Sequence, residues 1–79
     1  MNNEETKDIN RYLVFGEKAS ESYCEHDGID EIVSEGIEHA THRFEPDNVH
    51  GLDNLLAAFD GWGGYAEITK DEYEILSNL

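Results

Sequence analysis

Basic residues are scarce in this chain. Five lysines and arginines stand against 19 aspartates and glutamates, for a formal net charge of −14 over 79 residues. That sign removes the attraction on which general binding to nucleic acid or to an anionic membrane rests. Cysteine occurs once, at Cys24, so no disulfide within the chain can form, and a reducing, cytoplasmic setting fits this usage. No apolar run reaches the 18 residues a membrane span would need. The opening MNNEETKDIN lacks a basic stretch leading into an apolar one, so no secretory leader is expected. Proline occurs once, at Pro46, and no Pro-rich linker, repeat or low-complexity segment appears. Phosphate-binding glycine loops are also missing. Neither a P-loop nor a G-x-G-x-x-G after a strand can be read, and Asp27-Gly28-Ile29-Asp30-Glu31 lacks the register of a calcium loop.

What is present is enough to fold. Hydrophobic residues make up 38% of the chain, and eight aromatics (Tyr12, Phe15, Tyr23, Phe44, Phe59, Trp62, Tyr65, Tyr73) supply bulk that disordered acidic chains usually lack. The length corresponds to one domain, burying about 60% of the surface its unfolded form exposes. The expected division is a flexible N-terminus over residues 1–9 and a single α+β domain over 10–79.

Along the chain, Tyr12-Leu13-Val14-Phe15 is a continuous apolar run closed by Gly16, the pattern of a central strand covered on both faces. Residues 17–28 fit either a short helix or a strand hairpinned back onto the first, with a turn at Asp27-Gly28. Ile29, Ile32, Val33 and Ile37 fall on a helical stripe that Gly36 interrupts or caps. Glu38 to Glu45 alternates as a half-buried strand before Pro46. A helix capped by Asp47 or Asn48 is expected next, with Val49, Leu52, Leu55, Leu56 and Phe59 on one face. Gly61, Gly63 and Gly64 stop it, and Tyr65 to Ile68 reads as a short strand. Thr69-Lys70-Asp71-Glu72 fits a capping box, with Ile68 and Tyr73 as its hydrophobic staple, opening a final helix. The expected architecture is a small two-layer α+β sandwich. Its sheet is mainly antiparallel with three or four strands, packed by two or three helices.

No catalytic set emerges, and the chain is not expected to be an enzyme. Cys24-x-His26, His39-x-x-His42 and His50 look metal-like on paper, but residues 39 and 42 of a strand point to opposite faces, and Cys24-x-His26 lacks the usual spacer. Neither a metal nor another cofactor is therefore assigned, although a small metal-binding protein stays among the alternatives. Cys24 as a nucleophile would need a paired histidine and an orienting acid, and a lone cysteine of this kind is more often a small core filler. Gly61-Trp62-Gly63-Gly64 follows a helix rather than preceding one, so it reads as a helix stop with Trp62 over the core edge.

The distribution of acids reaches furthest toward function. From Ala19 to His42 there is no lysine or arginine, and from Phe44 to Thr69 there is again none. Carboxylates at i and i+4 on a helix, as in Glu17, Glu21 and Glu25 or Glu31 and Glu35, are spaced by about 6 Å. Phosphates along one nucleic-acid strand are separated by a similar distance. The like-charge crowding costs a few tenths of a kcal/mol per pair, which a solubility, salt or partner requirement would offset. Three lysines, six asparagines and six isoleucines argue against adaptation to high salt.

In size and charge alone the chain resembles phage- and mobile-element-encoded inhibitors of host nucleases, the anti-restriction and anti-CRISPR proteins. The resemblance is one of kind and transfers no residues. It implies a stoichiometric inhibitor that occludes the nucleic-acid-binding groove of a basic partner, a nuclease or CRISPR effector. The expected binding face comprises Glu17, Glu21, Glu25, Asp27, Asp30, Glu31, Glu35 and Glu38, with Trp62 and Tyr65 as apolar anchors. The competing reading is a housekeeping or regulatory domain whose charge serves solubility. A homodimer through an apolar sheet edge is also compatible with the pattern.

Overall fold

The apolar run Tyr12 to Phe15 forms strand β1 (Arg11–Phe15), and the computed structural model, which describes residues 10–79, sets it at the centre of the sheet. The flexible terminus expected over 1–9 lies outside the described residues. The remaining elements are α1 (Glu17–His26), α2 (Asp30–Glu35), β2 (Ala40–Phe44), α3 (Gly51–Ala58), a 3₁₀ turn (Asp60–Trp62), β3 (Tyr65–Ile68) and α4 (Lys70–Ser77). The sheet order is β2-β1-β3, antiparallel on both sides. This is the α+β arrangement expected, with three strands and, among the described residues, four helices rather than two or three.

Register decides what each face carries. Val14 lies opposite Thr41 and Ala66, and Tyr12 opposite Arg43 and Ile68, so these six share one face. There Tyr12, Val14, Ala66 and Ile68 join Ala19 of α1, Ile29 and Ile32 around α2, and Leu76 of α4 in the main core. Leu13 and Phe15 point to the other face with His42, Ala40 and Tyr65, and are 2% and 1% exposed. That face is covered by α3 and the 3₁₀ turn, as the stacking of Phe59 on Phe15 shows, with ring centroids 4.6 Å apart. The fold is therefore not a sheet covered on one side only. β1 is buried on both sides, as its unbroken apolar run requires.

Residues 17–28 resolve as a helix ending in a left-handed Asp27 (φ 55°), not as a returning strand. Its inward residues are Ala19, Ser20 and Ser22, with Tyr23 half-buried, while Cys24 is exposed rather than filling the core. Two buried serines are tolerable because both hydroxyls donate hydrogen bonds. Ser20 Oγ reaches the Glu17 carbonyl at 3.1 Å, and Ser22 Oγ reaches Glu31 Oε1 at 2.7 Å.

The third helix also departs from expectation. It begins at Gly51, and neither Asp47 nor Asn48 caps it. Asn48 instead folds its side chain onto the chain ahead, its Oδ1 accepting from the His50 N–H at 3.2 Å, within successive turns running from Glu45 to Gly51. Val49 is thereby excluded from the apolar stripe and is 81% exposed, while Leu52, Leu55, Leu56 and Phe59 are half-buried. In α4 the capping box is complete, with Glu72 N–H donating to Thr69 Oγ1 at 3.1 Å and Thr69 N–H to Glu72 Oε1 at 2.9 Å.

Gly16 fixes how α1 leaves the sheet. Its φ is 139°, a conformation L side chains rarely adopt, and a methyl group there would sit 2.9 Å from the Glu38 carbonyl oxygen. This contact brings the segment after α2 back to the start of α1, so the two helices form an antiparallel hairpin turning through Asp27-Gly28-Ile29.

Candidate functional site

The α1–α2 hairpin carries most of the acids singled out by the sequence. Glu17, Glu21 and Glu25 are exposed and follow one another at i and i+4, making a row about 12 Å long on one face of α1. Asp27 at the turn, Asp30 and Glu35 of α2, and Glu38 beyond it are likewise exposed. The hairpin brings Glu38 beside Gly16 and Glu17 at one end, while Glu25, Asp27 and Asp30 lie at the other.

Glu31 behaves differently. It is half-buried, and its Oε1 accepts from Ser22 Oγ at 2.7 Å and faces His26 Nε2 at 2.9 Å. His26 also lies 3.7 Å from Glu25 Oε1. Glu31 thus ties α2 to α1 through Ser22 and His26, while its side chain remains 43% exposed.

Trp62 is half-buried, its ring centroid 6.1 Å from that of Phe59. It borders a groove of about 410 Å³ with Gly16, Glu17, Lys18, Ile37 and Glu38, which joins the tryptophan to the Glu17 end of the hairpin. Tyr65 is 48% exposed and borders a different cavity, together with Phe15, Leu56, Phe59, Asp60, Gly63 and Gly64. The two aromatic anchors expected from the sequence therefore border separate cavities, Trp62 within the 3₁₀ turn and Tyr65 just after it. Phe15 and Asp60 were missed at the sequence level because the cavity forms only when β1 meets the turn. The one local signal was Phe59-Asp60 immediately ahead of three glycines within four residues.

Close packing holds that turn. A methyl group on Gly64 would sit 2.8 Å from Ser20 Oγ, and the Gly16 N–H donates to the Gly64 carbonyl at 2.9 Å. The small residues on the inward side of α1 and the glycines after Trp62 are one fitted contact.

Carboxylates are not confined to the hairpin. Glu45, Asp47, Asp53, Asp60, Asp71 and Glu74 are also exposed, distributed over the α3 and α4 sides. The bases fall mainly on the sheet and α4. Arg11 pairs through its Nε with Glu67 at 2.8 Å and through a second nitrogen with the other carboxylate oxygen, and it lies 5.5 Å from the Phe44 ring centre. The ion pair holds the Arg11 guanidinium above its ordinary pKa and, through the same hydrogen bond, the Glu67 carboxyl below its own.

Among the described residues no three His, Cys, Asp or Glu side chains group as a metal ion would require. His39 donates from Nδ1 to the Ile37 carbonyl at 2.8 Å, whereas the His42 ring packs 4.5 Å from Phe59 across the sheet. No helix of the described residues is long and apolar enough to cross a membrane.

No protein-family model matches the chain, and neither a curated protein nor a solved structure matches it significantly.

Proposed function

We propose that the protein is a cytoplasmic, stoichiometric inhibitor that lays its acidic hairpin into the nucleic-acid-binding groove of a basic partner, such as a nuclease or CRISPR effector of the kind met by phage and mobile elements. The observation that carries this reading is the row Glu17, Glu21, Glu25, continued by Asp27, Asp30, Glu35 and Glu38. All seven are exposed, on a helical hairpin with no lysine or arginine after Lys18. A row of carboxylates about 6 Å apart along a helix offers acceptors at a spacing suited to groove lysines and arginines, which bind them by charge-assisted hydrogen bonds. Association would be steered by charge and weakened by salt.

A second reading takes the charge as a means of solubility only, and the exposed acids of α3 and α4 favour it. Two triple variants separate the two. Glu21→Lys, Glu35→Lys and Glu38→Lys reverse the hairpin; Glu45→Lys, Asp53→Lys and Glu74→Lys make the same change in net charge elsewhere. Glu31 is left alone, because reversing it would break the Ser22 and His26 contacts. Competition against DNA for basic-groove nucleases, followed over a salt series, should show loss of inhibition for the hairpin set and retention for the other. Equal behaviour of the two sets rejects the hairpin as the binding face.

A further inference from the structure

The cavity beside the 3₁₀ turn has the chemistry of a receptor for one cationic side chain. Its volume is about 270 Å³. Phe15 forms its buried floor and Phe59 stacks on Phe15 at an interplanar angle of 18°. Tyr65, its ring centroid 6.1 Å from that of Phe15, is 48% exposed. Among the described residues Asp60 is the one charged group lining the cavity, and none of the lining residues is a lysine or arginine. Aromatic faces attract a cation through their quadrupole, and a planar guanidinium can stack on a ring while it pairs with a carboxylate.

From this we infer that the cavity receives an arginine side chain of the basic partner, stacked on Tyr65 and paired with Asp60. The inference rests on the reading of the chain as a ligand of a basic protein, and it assigns to Tyr65 and Asp60 a contact separate from the hairpin. The surface row would supply charge over a long, adaptable stretch. The cavity would supply one fixed point that sets orientation.

The test uses the full chain and two tripeptides, acetyl-Gly-Arg-Gly-amide and the same peptide with citrulline, which keeps the shape and loses the charge. Backbone amide shifts are followed by NMR at about 0.15 M salt, where the Debye length near 8 Å screens the distant acids. The arginine peptide should move the Asp60, Gly63, Gly64 and Tyr65 amides, and citrulline should bind about fivefold more weakly or worse. Asp60→Asn and Tyr65→Leu should each bring a comparable loss. Should Tyr65→Leu fail to fold, Asp60→Asn and the citrulline comparison decide.

Equal binding of the two peptides overturns the inference, and so does stronger binding of the citrulline peptide. Shifts confined to hairpin amides overturn it as well. The reading of the hairpin fails separately. In that case arginine discrimination at the cavity persists while the hairpin-reversed variant inhibits the nuclease as well as the native chain.

Discussion

Glu72 holds two parts of the molecule through one oxygen, and removing it gives the sharpest test of the packing described here. Its Oε1 accepts from the Thr69 N–H, closing the capping box of α4, and from the Tyr23 hydroxyl of α1, each at 2.9 Å. At about 1 kcal/mol for each hydrogen bond, Glu72→Ala should cost about 2 kcal/mol. In a domain of this length each kcal/mol lowers Tm by about 4–8 °C, so the expected drop is roughly 8–16 °C. Tyr23→Phe removes one of the two bonds and should lower Tm by about half as much. In the Glu72→Ala background it should do almost nothing, because the shared bond is already gone.

The same pair gives a pH signature. Burial, and then the hydrogen bond and charge of Glu72, push the Tyr23 phenol up to about 12, from an ordinary value near 10. A raised folded value means the contribution is fully present below about pH 10 and is lost as pH rises through about 12. Thermal melts followed by circular dichroism from pH 8 to 12 should show this alkaline decline in the native chain and a shallower one in Tyr23→Phe. If the two single changes add in full, or the alkaline limb is unchanged, the Tyr23–Glu72 bond does not hold α1 to α4.

Gly16→Ala should be far worse than an ordinary glycine substitution, at least about 2 kcal/mol, since it combines a positive φ with a contact 2.9 Å from the Glu38 oxygen; denaturant midpoints check this. Ile32→Ala, at a side chain with no exposed surface, should cost about 2–5 kcal/mol, measured the same way. Arg11→Ala removes an exposed, solvent-screened ion pair and should shift the denaturant midpoint only slightly near neutral pH. Because Glu67 is depressed in the folded state, the pair's contribution is present above the ordinary glutamate range and lost as pH falls through the folded value. The Arg11→Ala deficit should therefore shrink in acid. Trp62 fluorescence should be intermediate, partly blue-shifted yet still quenched by neutral acrylamide, as its half-buried position on Phe59 requires.

Where the sequence could be read, the reason was a pattern that one element carries alone. The four-residue apolar run at Tyr12–Phe15, β-branched and aromatic and closed by Gly16, has the pattern of a strand buried on both sides, and Thr69 with Glu72 declares a helix start without help from the rest of the chain. Helix α1 was not legible because its inward face is Ala19, Ser20 and Ser22, too small and too polar to register as an apolar stripe. That face became readable only against its partners, the glycines after Trp62 and the Glu31 carboxylate. The start of α3 was misplaced because Asn48 spends its side chain on the His50 N–H, outside the helix. For the acidic surface, exposure could be expected from composition, but the contacts of Glu31 with Ser22 and His26 could not.

The order β2-β1-β3 sets when this molecule can come into being. Among the described residues β1 is the earliest strand and the central one, and its outer neighbours arrive late, with Tyr12 pairing to Arg43 on one side and to Ile68 on the other. Until β3 has been made, β1 and β2 form only a two-stranded pair, which is marginal in water. Closing the longer loop is entropically slower than any pairing of chain neighbours. On the ribosome the sheet therefore cannot be completed until Ile68 has cleared the exit tunnel. The acidic hairpin lies between β1 and β2 in the chain, and its inward Ala19 and Ile32 share the core with Ala66, Ile68 and Leu76, which follow later.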